Sequence, residues 1–402
     1  MLLLYNLGLH IYSILILAFS LFNKKAKLWI NGRRKQKISS LKESAWFHFA
    51  SLGEFEQGRP VLEKYRANKP DAKIVITFFS PSGYEIRKNT PLADAVYYLP
   101  LDTAANARNF INTINPTLAV FTKYEYWYHY FNELHKRQVP LYIVSGIFRP
   151  GQIFFKWYGG LHRKILSFVS HFFVQDDQSK HLLQSINIKN TTISGDTRFD
   201  RVWANAQNPR MLPDIEAFTN NQKTFIAGST WPADEQFIAG IITQYPDWKF
   251  IIAPHEIGED KISKLTSLLP QGAFIRHSQL DTQNLPITTQ VLIIDNIGML
   301  SSLYQYGQIA YIGGGFGAGI HNTLEAAAFG LPVIFGPKYD KFNEAKDLIA
   351  TGAGFSIDDE EALKKIVANL TDNADLLSNA GRKAQQYVAQ NIGATDTIMA
   401  IL

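Results

Sequence analysis

The chain has 402 residues, 46% of them hydrophobic, with 27 glycines and 17 prolines; this supports two or three compact domains and excludes a disordered, collagenous or disulfide-stapled chain. It contains no cysteine, so thiol nucleophiles, Cys-ligated zinc and iron–sulfur clusters are excluded, and any nucleophile or base must come from Ser, Thr, His, Tyr, Lys or a carboxylate. The net charge of +5 is local in origin: Lys24, Lys25, Lys27, Arg33, Arg34, Lys35 and Lys37 all precede the first acid, Glu43, and beyond them acidic residues slightly outnumber basic ones, which is not a nucleic-acid signature.

Residues 2–22 are free of charge and rich in Leu, Ile, Phe and Ala, interrupted by Asn6, His10, Ser13 and Ser20. The run approaches the ~20 residues that span a hydrocarbon core. A cleaved signal peptide carries its basic residues before the apolar run, whereas here they follow it, so the expectation is an uncleaved anchor over 1–23. The basic cluster at 24–37 then places the following residues on the cytosolic face and suits an anionic membrane surface. The competing reading is a buried helix followed by a solvated basic loop.

Beyond residue 43, β-rich runs alternate with helical stretches. Strands are predicted at 46–50, 73–79, 95–99, 117–121, 141–144, 172–174 and 191–194, and, after a polar break at 205–221, at 224–227, 248–253, 290–294, 309–313, 331–335 and 354–357. The pattern is that of βαβ units and parallel sheets. The expected α/β organisation is an anchor helix (1–23), a Rossmann-like domain (24–204), a linker (205–222) and a second Rossmann-like domain (223–402), with the last helix returning to the first domain. Two such doubly wound domains would face a cleft, with ligands beyond the carboxyl ends of the strands.

Two loops after strands draw attention. The first, Ala50-Ser51-Leu52-Gly53-Glu54-Phe55-Glu56-Gln57-Gly58, opens a helix with small residues that permit close backbone approach. Glu54 is placed to accept a proton from a substrate hydroxyl, although from the residues alone an acid complementing the helix dipole is the better reading of the position. The second, Gly313-Gly314-Gly315-Phe316-Gly317-Ala318-Gly319-Ile320-His321-Asn322-Thr323-Leu324-Glu325, lies between a strand and a helix and reads as a phosphate cradle. Gly313, Gly315 and Ala318 match a dinucleotide fingerprint, but the next strand ends in Gly336-Pro337-Lys338 rather than in the required acid. Asn322 and Glu325, three apart, share a helix face on which Glu325 can accept from ribose hydroxyls. That is the pattern of a nucleotide-sugar site, with a helix-dipole acid as the alternative.

With these residues in hand, the chain resembles the 3-deoxy-D-manno-oct-2-ulosonic acid (Kdo) transferases nearly end to end. The resemblance is carried in order by Ser51-Leu52-Gly53-Glu54, Thr77-Phe78-Phe79-Ser80-Pro81-Ser82-Gly83, Tyr98-Leu99-Pro100-Leu101-Asp102, Glu125-Tyr126-Trp127, Ser194-Gly195-Asp196-Thr197-Arg198-Phe199-Asp200, Gly228-Ser229-Thr230, His321-Asn322-Thr323-Leu324-Glu325-Ala326-Ala327 and Gly336-Pro337. It implies a GT-B fold and an inverting glycosyltransferase of lipopolysaccharide biosynthesis. The implied reaction moves Kdo from CMP-Kdo to a glucosamine hydroxyl of the lipid A precursor at the inner membrane. It further implies that Glu54 is the general base and that Pro254, His255, Ile297, Gly298, Met299, Asn322, Thr323, Leu324 and Glu325 contact CMP-Kdo, with no metal and no cofactor. The chain departs from the family where Pro254 replaces an Arg, Met299 an acid and Thr323 a Pro. The alternatives are another GT-B glycosyltransferase or epimerase using a uridine nucleotide, and a non-catalytic membrane-tethered nucleotide-sugar binder. The expected partners are CMP-Kdo, the lipid A precursor and an anionic membrane surface, without nucleic acid.

Overall fold

A computed structural model describes residues 1–281 and 289–402. The chain divides into two compact units, residues 1–201 with 392–402, and residues 202–391. Each is built on a seven-stranded, all-parallel sheet.

In the first unit the strands are β1 Ser44–Phe49, β2 Ile74–Phe78, β3 Ala95–Tyr98, β4 Pro116–Thr122, β5 Leu141–Gly146, β6 His171–Val174 and β7 Thr191–Ile193, in the order β3-β2-β1-β4-β5-β6-β7. All six residues of β1 are buried, because helices cover both faces of a parallel sheet. The period of two divides its side chains: Ala45, Phe47 and Phe49 join one core with Ile74, Ile76 and Val120, while Trp46 joins the other with Val75, Phe110 and Phe121. Each such large apolar side chain contributes about 1.5–3 kcal/mol on burial. The chain's last segment belongs here too: Asp200 accepts from the amides of Gly393 (2.6 Å) and Thr395 (2.7 Å) and from the Thr395 hydroxyl (2.6 Å), and Ile398 enters the core.

The second unit holds β8 Thr224–Thr230, β9 Lys249–Pro254, β10 Phe274–Arg276, β11 Val291–Ile293, β12 Ile309–Ile312, β13 Val333–Phe335 and β14 Gly354–Ser356, in the order β10-β11-β9-β8-β12-β13-β14. Thirteen of these fourteen strands fall on the predicted runs. The exception is β10, three half-buried residues at the sheet edge, too short and too exposed to leave an apolar signal. Residues 205–222, expected as a linker, include the helix Pro213–Thr219, whose Ile215 and Phe218 are buried.

The first helix, Leu2–Phe19, is long and apolar enough to cross a membrane by length and composition, and only 6% of it is buried. What little is covered is specific. Tyr5 donates its hydroxyl to Asp102 at 2.5 Å and Asn6 lies 2.7 Å from the His129 ring. A second helix, Lys24–Lys35, begins with an Asn23 cap and carries the basic residues.

Candidate active site

Both sheets reverse their strand order once, between β1 and β4 and between β8 and β12. At such a switch point the connections leave toward opposite faces and open a crevice beyond the strand ends. The sequence-predicted residues stand there: Glu54 on the connection after β1, and the glycine loop on the connection after β12.

In the first unit, Glu54 lies in the first turn of the helix Leu52–Asn68, half-buried, and accepts a hydrogen bond from the Ser51 hydroxyl. Tyr124, on the connection after β4, lies within electrostatic reach of Glu54, Arg149, Asp196 and Arg198. Next to it, Glu125 accepts from Trp127 Nε1 at 2.9 Å, and His48 Nε2 is 3.4 Å from the same oxygen. His48 Nδ1 is 2.7 Å from the Thr77 hydroxyl, which accepts from Trp46 Nε1 at 2.8 Å. With the Nε2 proton facing the carboxylate, the assigned tautomer has Nδ1 accepting from Thr77. Sequence reasoning did not place His48. Its signal is a polar residue inside a buried strand, which must find partners.

In the second unit the glycine loop is shaped by backbone contact. Gly314 has φ +95°, and a Cβ at Gly315 would collide with the backbone of Gly336. The buried Asp234 holds the loop: its carboxylate accepts from the amides of Gly314 and Trp231, both at 2.9 Å, and from the Tyr311 hydroxyl at 2.7 Å. Desolvation pushes the Asp234 pKa up, against the pull of these three donors.

Trp231, thus fixed, stacks on the His255 ring (4.7 Å between centroids, 20°), and His255 stacks on His321 (4.5 Å, 30°). Trp231 Nε1 donates to His321 Nε2 at 3.1 Å, so His321 in this arrangement carries its proton on Nδ1 and presents a donor there. Burial, and then the neighbouring His255, hold the His321 pKa below its ordinary value. Asp234, Trp231 and His321 were not among the predicted site residues. Pro232 after Trp231, with an acid two residues later, is the helix-start pattern that marks the place.

Of the predicted donor residues, the structure brings His255 into this ring cluster and joins Asn322 to Glu325 by a 3.1 Å hydrogen bond. Asn322 also caps the following turn through the amide of Leu324 (3.1 Å). Thr323 and Leu324 are fully buried, so Leu324 offers a ligand only its backbone, and the Thr323 hydroxyl has no hydrogen-bond partner among the described residues. Pro254 ends β9 half-buried. Ile297, Gly298 and Met299 form a separate loop in which the Ile297 side chain is 87% exposed, Gly298 has φ +96° and Met299 turns inward. Met299 therefore fills none of the acid's side-chain role that the family pattern has at its position. Among the described residues no group of three or more His, Asp or Glu side chains is arranged to hold a metal ion.

Fold and site together define a GT-B class protein, two doubly wound units each with a loop-built crevice. Among solved structures the chain is similar to UDP-GlcNAc 2-epimerase from Neisseria meningitidis bound to UDP-GlcNAc (TM-score 0.63, 13% identity, 89% of this chain and 98% of that one). It is similar also to MurG from Acinetobacter baumannii (TM-score 0.54, 12% identity, 89% and 99%); at such identities the likeness is one of fold. Residues 24–201 match the family model described as 3-Deoxy-D-manno-octulosonic-acid transferase (kdotransferase). Curated 3-deoxy-D-manno-octulosonic acid transferases from Rickettsia bellii (27% identity, 89% of this chain, 87% of the relative) and Haemophilus influenzae (26%, 90% and 86%) extend the similarity over most of the chain. The chain is also 25% identical, over 92% of its length, to a bifunctional glycosyltransferase/methyltransferase of Fusobacterium nucleatum, of which it spans 60%. The amino-terminal half thus matches the Kdo transferase family model, and curated Kdo transferases are similar to the chain over most of its length at about a quarter identity.

Proposed function

We propose that this protein transfers Kdo from CMP-Kdo to a glucosamine hydroxyl of a lipid A precursor, with inversion at the anomeric carbon. The observation that carries the reading is that one chain holds two fitting devices at its two switch points: a half-exposed carboxylate with a hydroxyl partner, Glu54 and Ser51, and a glycine loop after β12 shaped by close backbone contact.

In this mechanism Glu54 takes the proton of the attacking hydroxyl as its oxygen bonds to the Kdo anomeric carbon. The bond from that carbon to the phosphate oxygen breaks, and CMP leaves with the electron pair. General-base assistance of this kind is worth about 100- to 10,000-fold. The departing phosphate gains negative charge, and donors fixed beforehand stabilise it without reorganising. The loop amides of Gly315 and Phe316, rather than those of Gly313 and Gly314 that donate to the Gly228 carbonyl and to Asp234, and the Nδ1 proton of His321 are such donors, with His255 stacked alongside. Glu325, held by Asn322, accepts from ribose hydroxyls. Arg149 and Arg198, both within electrostatic reach of Tyr124, Arg198 being paired with Asp196 at 2.8 Å, suit an acceptor that carries phosphates.

The acceptor is an amphiphile, so the protein docks on the membrane that contains it. The apolar helix Leu2–Phe19 and the cations of Lys24–Lys35 suit an anionic cytosolic-face membrane, each near-surface cation contributing about 1 kcal/mol. The test is transfer from CMP-Kdo to a tetraacylated lipid A precursor in detergent, with product mass as readout and UDP-sugars as alternative donors. Product from CMP-Kdo supports the reading. Product only from a uridine nucleotide, or CMP binding without turnover on that acceptor, overturns it.

A further inference from the structure

A groove of about 470 Å³ lies in the first unit between the apolar first helix, the basic second helix and the connection after β3. Its volume falls within the ~300–1,000 Å³ of small-ligand pockets. Ile14 and Leu17 of the first helix, Ile30 of the second and Leu101 of the connection give it apolar walls, and Arg33 and Arg34 stand at its side.

The groove is held in shape by polar contacts rather than by filling. The first helix is pinned through Tyr5 to Asp102 and through Asn6 to His129. The second is pinned by Arg33, whose guanidinium donates to the carbonyls of Leu99 (2.8 Å), Phe79 (2.7 Å) and Trp29 (3.3 Å) and lies 3.7 Å from the centre of the Trp29 ring. Gln36 adds two bonds to the backbone of Tyr98, both at 2.9 Å.

Two observations say what the groove takes. Ile14 and Leu17 are 66% and 44% exposed and continue onto the open apolar surface of the same helix, so the groove opens on the side that a hydrocarbon phase would wet. The charge beside it is also one-sided. Arg33 is surrounded by carbonyls and rings and ion-paired to no carboxylate among the described residues, Glu125 acting on it only at longer range. Burial draws its pKa down to about 9, a sign of an enclosed cation short of negative charge. Arg34, Lys35 and Lys37 are exposed nearby, and no acid precedes Glu43.

We propose that this groove is a binding site for one anionic bilayer lipid, with an acyl chain between Ile14, Leu17, Ile30 and Leu101 and the headgroup phosphate facing Arg34 and the Arg33 edge. The lipid completes the seam between the two amino-terminal helices and the body of the unit, and supplies the counter-charge that Arg33 lacks. The site is separate from Glu54 and does not depend on which sugar is transferred.

The test uses the full chain, purified in detergent, stripped of lipid and then incubated with phosphatidylglycerol, with phosphatidylcholine of the same chains, or with the tetraacylated lipid A precursor. Retained lipid is counted by native mass spectrometry. The expected result is one phosphatidylglycerol per chain, retained in preference to phosphatidylcholine and undisturbed by free inorganic phosphate. Arg34→Gln should weaken retention about fivefold, the share of one near-surface cation. Leu101→Trp, which fills the groove, should lower it by at least about tenfold. Ile14→Trp, on an exposed helix surface where folding is not at stake, should do the same. Equal retention of phosphatidylcholine, undiminished retention in both groove-filling variants, or exclusive retention of the lipid A precursor would each overturn the proposal. Because no arm reads transfer, loss of this site and failure of the Kdo reading are told apart.

Discussion

The crevices of the two units occupy the same topological position and are built from different material. In the second unit the wall is backbone: a glycine at positive φ, a second glycine pressed on Gly336, and one buried carboxylate that accepts from the amides of Gly314 and Trp231. In the first unit the candidate groups are side chains on strand ends and a helix start, and their partners are other side chains: Ser51 for Glu54, and His48, Thr77 and Trp127 around Glu125. A backbone cradle suits a phosphate, which presents the same oxygens in every substrate that carries it. A side-chain site suits a proton transfer, which needs one atom at one place. The first should tolerate no added carbon, and the second should tolerate shape but not chemistry.

The most severe break in that comparison is chemical and isosteric. Glu54→Gln keeps the shape and removes the proposed base, and is expected to lower kcat about 100- to 10,000-fold while CMP affinity stays unchanged; turnover and CMP titration measured side by side check it. Loss of CMP binding would show that the two sites are not divided as proposed. Next comes Gly315→Ala, one added carbon against the backbone of Gly336. It should weaken CMP binding and lower stability by about 1–3 kcal/mol, read by calorimetric titration and thermal unfolding.

Asp234→Asn tests whether the cradle depends on a charged pin. It leaves an amide nitrogen facing one of three donors, and a loss of about 1–3 kcal/mol is expected, accompanied by weaker CMP binding. If stability falls and CMP affinity does not, Asp234 supports the fold alone. The smallest effect concerns pH. His321 has its pKa lowered in the folded state, so the unfolded chain binds the proton more readily and stability falls as pH drops from about 6.5 toward the lowered value. Unfolding followed between pH 7 and pH 5 should show this slope, and His321→Gln should flatten it.

Much of the fold was legible because a strand covered on both faces is written as a short apolar run, as in Trp46-Phe47-His48-Phe49 or Val333-Ile334-Phe335. The edge strand at Phe274 escaped notice because an edge of three half-exposed residues need not be apolar. Glu54 and the glycine loop were legible as loop chemistry after strands. The orientation of residues within a motif was not: in His321-Asn322-Thr323-Leu324-Glu325 every residue is a plausible contact by type, yet Thr323 and Leu324 face the core while His321 turns to Trp231. Met299 is buried for the same reason: which side of a loop faces inward depends on what packs behind it.

The sequence by itself determined what is local. Backbone freedom at glycine, the two-residue period of buried strands and the charge asymmetry of the amino terminus are properties of neighbours along the chain, and neighbours can be read. The tertiary structure alone decided the rest. The crossovers from β3 to β4 and from β11 to β12 set the switch points, and long-range pairing brings Asp234 to Gly314, eighty residues away, and Trp231 to His321, ninety away. A hydrogen bond or a stacked ring stabilises only when two groups meet, and where distant groups meet is settled by the packing of whole sheets rather than by any stretch of residues.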